Sequence, residues 1–293
     1  MKAMDSAKQV QVSVWLGRVR GGVCALVGAV LLTVCVFATP AMALDSNHAA
    51  WSELLAKHVH WNADGTASTV DYAGFARERA ALQAYLDQLS AVSQASFDAW
   101  PVAERQAFLI NAYNAQTVAL ILTRWPKLES IKDLGGLFSS PWKKSFFTLL
   151  ETQRSLDDVE HGLLRGAPDF NEPRIHFAVN CASIGCPALR PEAFRGADFD
   201  AQLEDQTLRF LRDRTRNRFD PATGVLSLSK IFDWYAGDFE RGFRGTRTVL
   251  EFAGTYASAL SDSPEARARI GRGGVELDYI DYDWALNGPA ATR

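Results

Sequence analysis

Cysteine is scarce in this chain, with four among 293 residues, and long uncharged stretches are scarcer still. One apolar run, Val23 to Ala38, holds Cys24 and Cys35, so Cys181 and Cys186 are the cysteines left for everything downstream. No internal repeat, low-complexity tract or long Pro/Gly/Ser linker breaks the sequence, which favours a single domain over a string of small ones. Charge of neither sign dominates. A formal net charge of -3 offers no electrostatic reason to expect nucleic acid as a partner.

The N-terminus has the order of an export signal. Lys2, Lys8, Arg18 and Arg20 outweigh Asp5, the apolar run follows, and Ala41-Met42-Ala43 supplies a small-x-small cleavage site. Residues 1–43 are therefore predicted to be a signal peptide, with cleavage after Ala43 and a periplasmic or secreted product. The alternative is an uncleaved anchor, because roughly 16 to 18 apolar residues is a marginal length for spanning a bilayer. Val34 before Cys35 does not suit lipoprotein processing, and there is no twin-arginine pair. Removing the segment moves the net charge from -3 to -6, since four cations and one acid leave with it. Export would place Cys181 and Cys186 in an oxidising compartment.

Periodicity predicts an α+β domain with a modest, late sheet flanked by helices. A helical N-terminal part (44–99) precedes a core (100–287) and a short tail (288–293). Helices are expected near 49–60 and 72–89, with a turn at 62–65 between them. Residues 101–125 predict one long helix whose apolar side chains surround its axis, the pattern of a buried helix. Glu104, Arg105, Asn111, Asn114 and Arg124 exclude it as a membrane span. Ser155-Leu-Asp-Asp158 has capping-box spacing for a helix ending near Arg165-Gly166. Residues 174–180 alternate like a strand. Further helices are expected at 200–214 and 230–243, and strands at 225–228 and 275–279. The arginines from 209 to 218 read as a solvated face, and His48, His58 and His60 as surface residues.

Several polar residues fall where burial is expected. Asn111 and Asn114 share one face of the long helix; they either brace a loop or orient a ligand or catalytic group. Glu160 projects from the apolar side of its helix, with His161 nearly opposite, toward Arg165. A buried carboxylate needs a cation or several N–H donors, and Arg174 or Arg190 is the expected partner. As function, Glu160 is an acid or base candidate.

Three readings of Cys181 and Cys186 stand open. They form a disulfide; or Cys181 is a nucleophile activated by His176 or His161; or both join His161 and His176 around zinc. The His176-x4-Cys181-x4-Cys186 spacing departs from the tight zinc knuckle. A Cys–His pair requires the chain to turn near 180–183, since an unbroken strand would set the two side chains on opposite faces.

Five motifs in order resemble the domain of unknown function 547 family. They are Phe108-Leu-Ile-Asn-Ala-Tyr-Asn114, Leu156 to Arg165, Pro173 to Pro187, Leu228 to Tyr235 with Asp238-Phe239, and Tyr282 to Asn287. The resemblance implies that Asn111, Asn114, Glu160, His161, Arg165, Arg174, His176, Cys181, Ser183, Cys186 and Pro187 occupy signature positions. It implies no reaction. The expectation is a thiol-dependent hydrolase or acyl transferase, with Cys181 as nucleophile, His176 or His161 as base, and Glu160, Asn111 and Asn114 in support. Arg165, Arg174, Ser183 and Arg190 are the candidates for binding substrate, an unknown small molecule or peptide. Asp283 is an extra candidate for orienting the histidine. The alternatives are a non-enzymatic cell-envelope binding module with a structural disulfide and, third, a zinc-binding domain. No motif implies a cofactor, and oligomeric state is not encoded.

Overall fold

A computed structural model describes residues 44–136 and 139–289; the predicted signal segment, 1–43, lies outside the described residues. Helices carry most of the fold. They are α1 (Ala49–His58), α2 (Tyr72–Arg77), α3 (Arg79–Ser90), α4 (Gln94–Asp98), α5 (Val102–Leu122), α6 (Phe199–Arg212), α7 (Lys230–Trp234), α8 (Ala236–Phe239), α9 (Val249–Thr255), α10 (Ala257–Leu260) and α11 (Pro264–Gly271). Three small sheets accompany them. Strands β1 (Val59–Trp61) and β2 (Ser68–Val70) form a hairpin, as do β3 (Phe147–Leu149) and β4 (Thr152–Arg154). Strand β6 (Val225–Ser229) pairs antiparallel with β5 (Arg218–Asp220) and parallel with β7 (Glu276–Ile280). The α+β class is as the sequence predicts. No helix among the described residues is long and apolar enough to cross a membrane.

Two apolar clusters make up the interior. The first gathers Trp51, Phe75, Tyr85 and Leu89 from α1 to α3 around Phe108, Ile110 and Ile121 of α5. The second packs Phe210 of α6, Leu226 and Leu228 of β6, and Phe232, Phe239 and Phe252 from the helices that follow. Helix α5 is buried along nearly all its length, as its apolar circumference requires. The stretch Ile175–Val179 straddles the clusters: Phe177 belongs to the second, while Ile175, Ala178 and Val179 belong to the first.

Three expectations are corrected here. Residues 174–180 are not a strand; Pro173–Phe177 is a 3-10 helix opened by Pro173 and by the Glu172 side chain on Arg174 N–H. A short run that alternates polar and apolar is ambiguous when buried on every side, and here even Arg174 and His176 are buried. The turn at 62–65 joins the strands of a hairpin, not two helices. His48 and His58 are buried, and His60 alone of the three is exposed.

His48 shows what that burial does. Its Nδ1 lies 2.7 Å from the Tyr85 hydroxyl, whose own ionisation burial pushes far up, so the phenol donates and the imidazole accepts. Burial depresses the His48 pKa to about 4 from the usual 6.5, with Asp45 pulling weakly the other way. A histidine depressed in the folded state binds its proton more readily when unfolded. It therefore contributes stability fully present above pH 6.5 and lost as pH falls toward 4. Between about pH 7.5 and pH 4.5, wild type should lose roughly 2–3 kcal/mol more than His48→Gln in urea denaturation. Equal losses in the two proteins would show that His48 is not the group responsible.

Candidate functional site

The site is framed by side chains that correct the backbone rather than face a ligand. Asn111 of α5 donates to Phe194 O at 2.7 Å and accepts from Phe194 N at 3.0 Å. One turn on, Asn114 donates to Ala178 O at 3.0 Å and accepts from Asn180 N at 2.8 Å. Both carboxamides are spent on loop backbone that would otherwise be buried without partners. Neither lines the cavity described below.

Beyond Asn180 the chain turns sharply. Ala182 takes a left-handed backbone at φ 64°, a conformation costing a non-glycine residue about 1–2 kcal/mol. Hydrogen bonds hold it there: Ala182 N donates to Asn180 Oδ1 at 3.0 Å, and Asn287 N donates to Ala182 O at 3.0 Å. The loop then runs beside the C-terminal segment, with Ile184 N donating to Ala285 O and Gly185 N to Asp283 O, each at 2.8 Å. A Cβ on Gly185 would meet the Asp283 backbone at 3.0 Å, so glycine permits this approach. The turn brings Cys181 and Cys186 together as a disulfide with Cα atoms 6.1 Å apart. It also brings Tyr282 over them, its hydroxyl 3.0 Å from the Cys181 sulfur and 3.1 Å from that of Cys186. Cys181 is the partly exposed member of the pair and Cys186 the buried one.

Asp158–Leu164 adds the opposite wall. The predicted capping holds, with Ser155 N and Oγ both donating to Asp158 Oδ2. The helix is wound as a π-helix, closed by Arg165 N donating to Glu160 O five residues back. Such turns are rare and occur often at functional sites. Glu160 and His161 both line the cavity, and His161 also turns toward Arg165 as its position in the sequence suggests. Glu160 is buried and accepts from the Tyr235 hydroxyl at 2.6 Å. Burial, and then Glu160 itself, raises the Tyr235 hydroxyl far above its ordinary pKa, so Tyr235 remains a donor.

The expected pairing of Glu160 with Arg174 or Arg190 is not found. Arg174 binds Glu172, Asp200 and Glu204, and Arg190 binds Glu192 and Asp205. Ser183 is buried beside Cys181 O at 3.4 Å, and Asp283 accepts from Ala285 N at 2.9 Å. Neither touches a histidine.

These walls enclose a cavity of about 280 Å³, lined by Glu160, His161, His176 and Cys181 together with Tyr113, Tyr235, Tyr282, Trp142, Trp234 and Trp284. His176 stacks on Tyr235 with ring centroids 3.9 Å apart. Its Nε2 lies 2.7 Å from Asp238 Oδ2, an oxygen that also accepts from Arg165 Nε at 2.5 Å. Burial pushes the Asp238 carboxyl up, but His176 and Arg165 outweigh it and hold the group well below the usual range. Burial, opposed by Asp238 and Glu160, lowers the pKa of His176. The imidazole is then neutral at pH 7, with Nε2 carrying the proton toward Asp238 and Nδ1 left as a bare acceptor. That Nδ1 is buried and has no partner among the described residues. His161 is more exposed; its Nδ1 meets Arg165 Nη1 at 2.5 Å and its Nε2 lies 3.6 Å from Asp157.

Four groups that organise the cavity escaped sequence reasoning: Tyr113, Tyr235, Asp238 and Tyr282. Tyr113 comes from the middle of α5 and the other three from segments distant in sequence, though each lies within a motif that carries the family resemblance. The zinc reading is not favoured by the arrangement. His176 is turned to Asp238, the two sulfurs are bonded to each other, and the described residues include no group of three or more His, Cys, Asp or Glu that could hold a metal ion.

The family model described as "Protein of unknown function, DUF547" matches residues 97–211. That stretch carries α5, the π-helix, the 3-10 helix and both cysteines, and ends before Tyr235, Asp238 and Tyr282. No curated protein and no solved structure matches the chain.

Gly185 and Gly162 make a matched test of how the loop seats Tyr282. A Cβ on Gly162 would meet nothing within 4 Å. Gly185→Ala should destabilise by about 1–3 kcal/mol through overpacking, whereas Gly162→Ala should be neutral or gain about 0.5–1 kcal/mol. Thermal melts of the two variants check this. Equal melting temperatures would mean that the loop and the C-terminal segment are not closely seated.

Proposed function

We propose that the chain is an exported thiol-dependent hydrolase or acyl transferase in which the Cys181 sulfur is the reacting atom and His176 the base. The observation that carries this reading is the buried, unpartnered Nδ1 of His176, on a ring that lines the same cavity as Cys181. An imidazole held by a carboxylate on one nitrogen and unpaired on the other has a lone pair to take a proton from a nucleophile brought within reach. His161, engaged by Arg165 and Asp157, is the weaker base candidate.

In this reading the bonded cysteine pair is the resting form, and a dithiol reductant opens it. His176 Nδ1 then accepts the Cys181 thiol proton. The thiolate adds to a carbonyl carbon, and the leaving amine or alcohol departs with the proton returned by the imidazolium. Water or a second nucleophile cleaves the thioester and restores the thiol. The Tyr282 hydroxyl supports the anion by donation. Burial, with Glu160 and Asp283 adding to it and Arg216 opposing, raises its pKa far enough to keep it protonated at neutral pH.

A second reading has one observation in its favour, the bond between the sulfurs. It is a non-enzymatic envelope module whose disulfide shapes a binding pocket. Alkylation followed by intact mass separates the two. After mild reduction, Cys181 should alkylate about tenfold faster near pH 7 than an ordinary thiol, and His176→Gln should abolish that advantage. Cys186→Ala should preserve it. A Cys181 that reacts like a simple thiol, or is indifferent to His176→Gln, would leave the binding module as the better account.

A further inference from the structure

The same cavity carries an unbalanced charge. Asp157 and Glu160 line it, and no lysine or arginine does among the described residues. Asp157 already faces His161 at 3.6 Å, so Glu160 decides the matter. Glu160 is only 6% exposed, and no cation lies within ion-pair distance among the described residues. Its close partners are phenols: Tyr235 at 2.6 Å and, more deeply buried, Tyr113. The neighbouring guanidinium, Arg165, is committed elsewhere. It donates to Asp238, meets His161, and lies over the Tyr235 ring at 4.9 Å. A carboxylate withdrawn from water without a paired cation is unfavourable, so an entering cation would be stabilised beside it.

The mouth of the cavity suits the same kind of visitor. Trp234, Tyr282 and Trp284 form a cluster, with ring centroids 4.9 Å apart for Trp234–Tyr282, 4.5 Å for Tyr282–Trp284 and 5.7 Å for Trp234–Trp284. Trp234 is 45% exposed. The protein itself uses this cluster to hold a cation, since Lys132 Nζ sits 3.7 Å from the Trp284 ring centre. Aromatic faces attract organic cations through their quadrupoles. A cavity of about 280 Å³ admits one side chain or a small amine.

Resting on the reading of this cavity as the functional site, we infer that its substrate bears an organic cation, an ammonium or guanidinium group. The cation rests on the open face of Trp234 in this cluster and is directed at Glu160. The carbonyl to be attacked is then carried by the same molecule, on the side of Cys181.

Tryptophan fluorescence titration of the oxidised full chain tests this with paired probes. Benzylammonium against benzyl alcohol represents a free amine, and N-acetyl-lysine amide against N-acetyl-norleucine amide represents a residue in a peptide. In at least one pair the cationic member should bind about tenfold or more tightly than its neutral partner. Whichever pair shows the preference identifies the source. The preference should vanish in Glu160→Gln and shrink in Trp234→Leu, whose exposed site makes misfolding a minor concern. Neutral partners binding equally well in both pairs, or no response to any cation up to about 10 mM, would overturn the inference. Because these titrations need no free thiol, a cation preference survives if Cys181 proves unreactive, and a reactive Cys181 survives if the preference is absent.

Discussion

One buried carboxylate, Asp238 on α8, decides how the cavity is assembled. Its Oδ2 accepts hydrogen bonds from His176 Nε2 and Arg165 Nε, while Arg241 Nη2 stands 2.9 Å from Oδ1. These partners come from different parts of the fold. His176 lies on the segment that straddles the two apolar clusters, Arg165 closes the π-helix, and α8 belongs to the second cluster. Apolar packing is not directional, so it does not by itself choose a rotation of His176 or a register for the π-helix. A charge-assisted contact with defined angles does. The cavity exists where the two clusters meet, and this carboxylate sets the angle of that meeting for the groups that matter.

The contrast with Glu160 follows from partner chemistry. Asp238 is attended by two guanidiniums and an imidazole, so its charge is compensated inside the protein. Glu160, similarly buried, has only hydroxyls. Two carboxylates from distant segments are thus assigned separate tasks by what surrounds them, a division that recurs wherever a site needs one group fixed and another available. Arg165 is the hinge of this arrangement, since it feels Glu160 electrostatically yet donates its Nε proton to Asp238. Were it to bond Glu160 instead, His176 would lose a neighbour that keeps it neutral and the cavity would lose its negative charge.

Local features of this architecture were legible in the sequence, and long-range ones were not. Helix α5, its burial on all sides, the Ser155–Asp158 cap and the inward phase of Glu160 all follow from patterns spanning a few residues. So does the pairing of Asn111 and Asn114 on one face, although that they brace Phe194, Ala178 and Asn180 is not encoded in their spacing. The partner of Glu160 lies 75 residues away in Tyr235, that of His176 lies 62 away in Asp238, and Tyr282 reaches Cys181 across 101. No periodicity carries such information. The strand expected at 174–180 failed for a related reason. Alternation is diagnostic when one face meets water, and this segment is buried, packed on α6 and bonded at Ala178 and Asn180 to Asn114 of α5.

The cysteine loop shows why a disulfide and a reactive thiol are not opposed at this position. Asn180 Nδ2 donates to Pro187 O at 2.7 Å, Asn287 Nδ2 reaches Asn180 Oδ1 at 3.3 Å, and Tyr72 donates to Asn287 Oδ1 at 2.6 Å. With the backbone bonds to Asp283, Ala285 and Asn287, these contacts hold both ends of the loop and its left-handed residue without help from sulfur. A cross-link adds little to a shape already determined by hydrogen bonds on every side. Cys181 is partly exposed and Cys186 buried under a single shared hydroxyl, so the two sulfurs differ in their access to anything that enters the cavity.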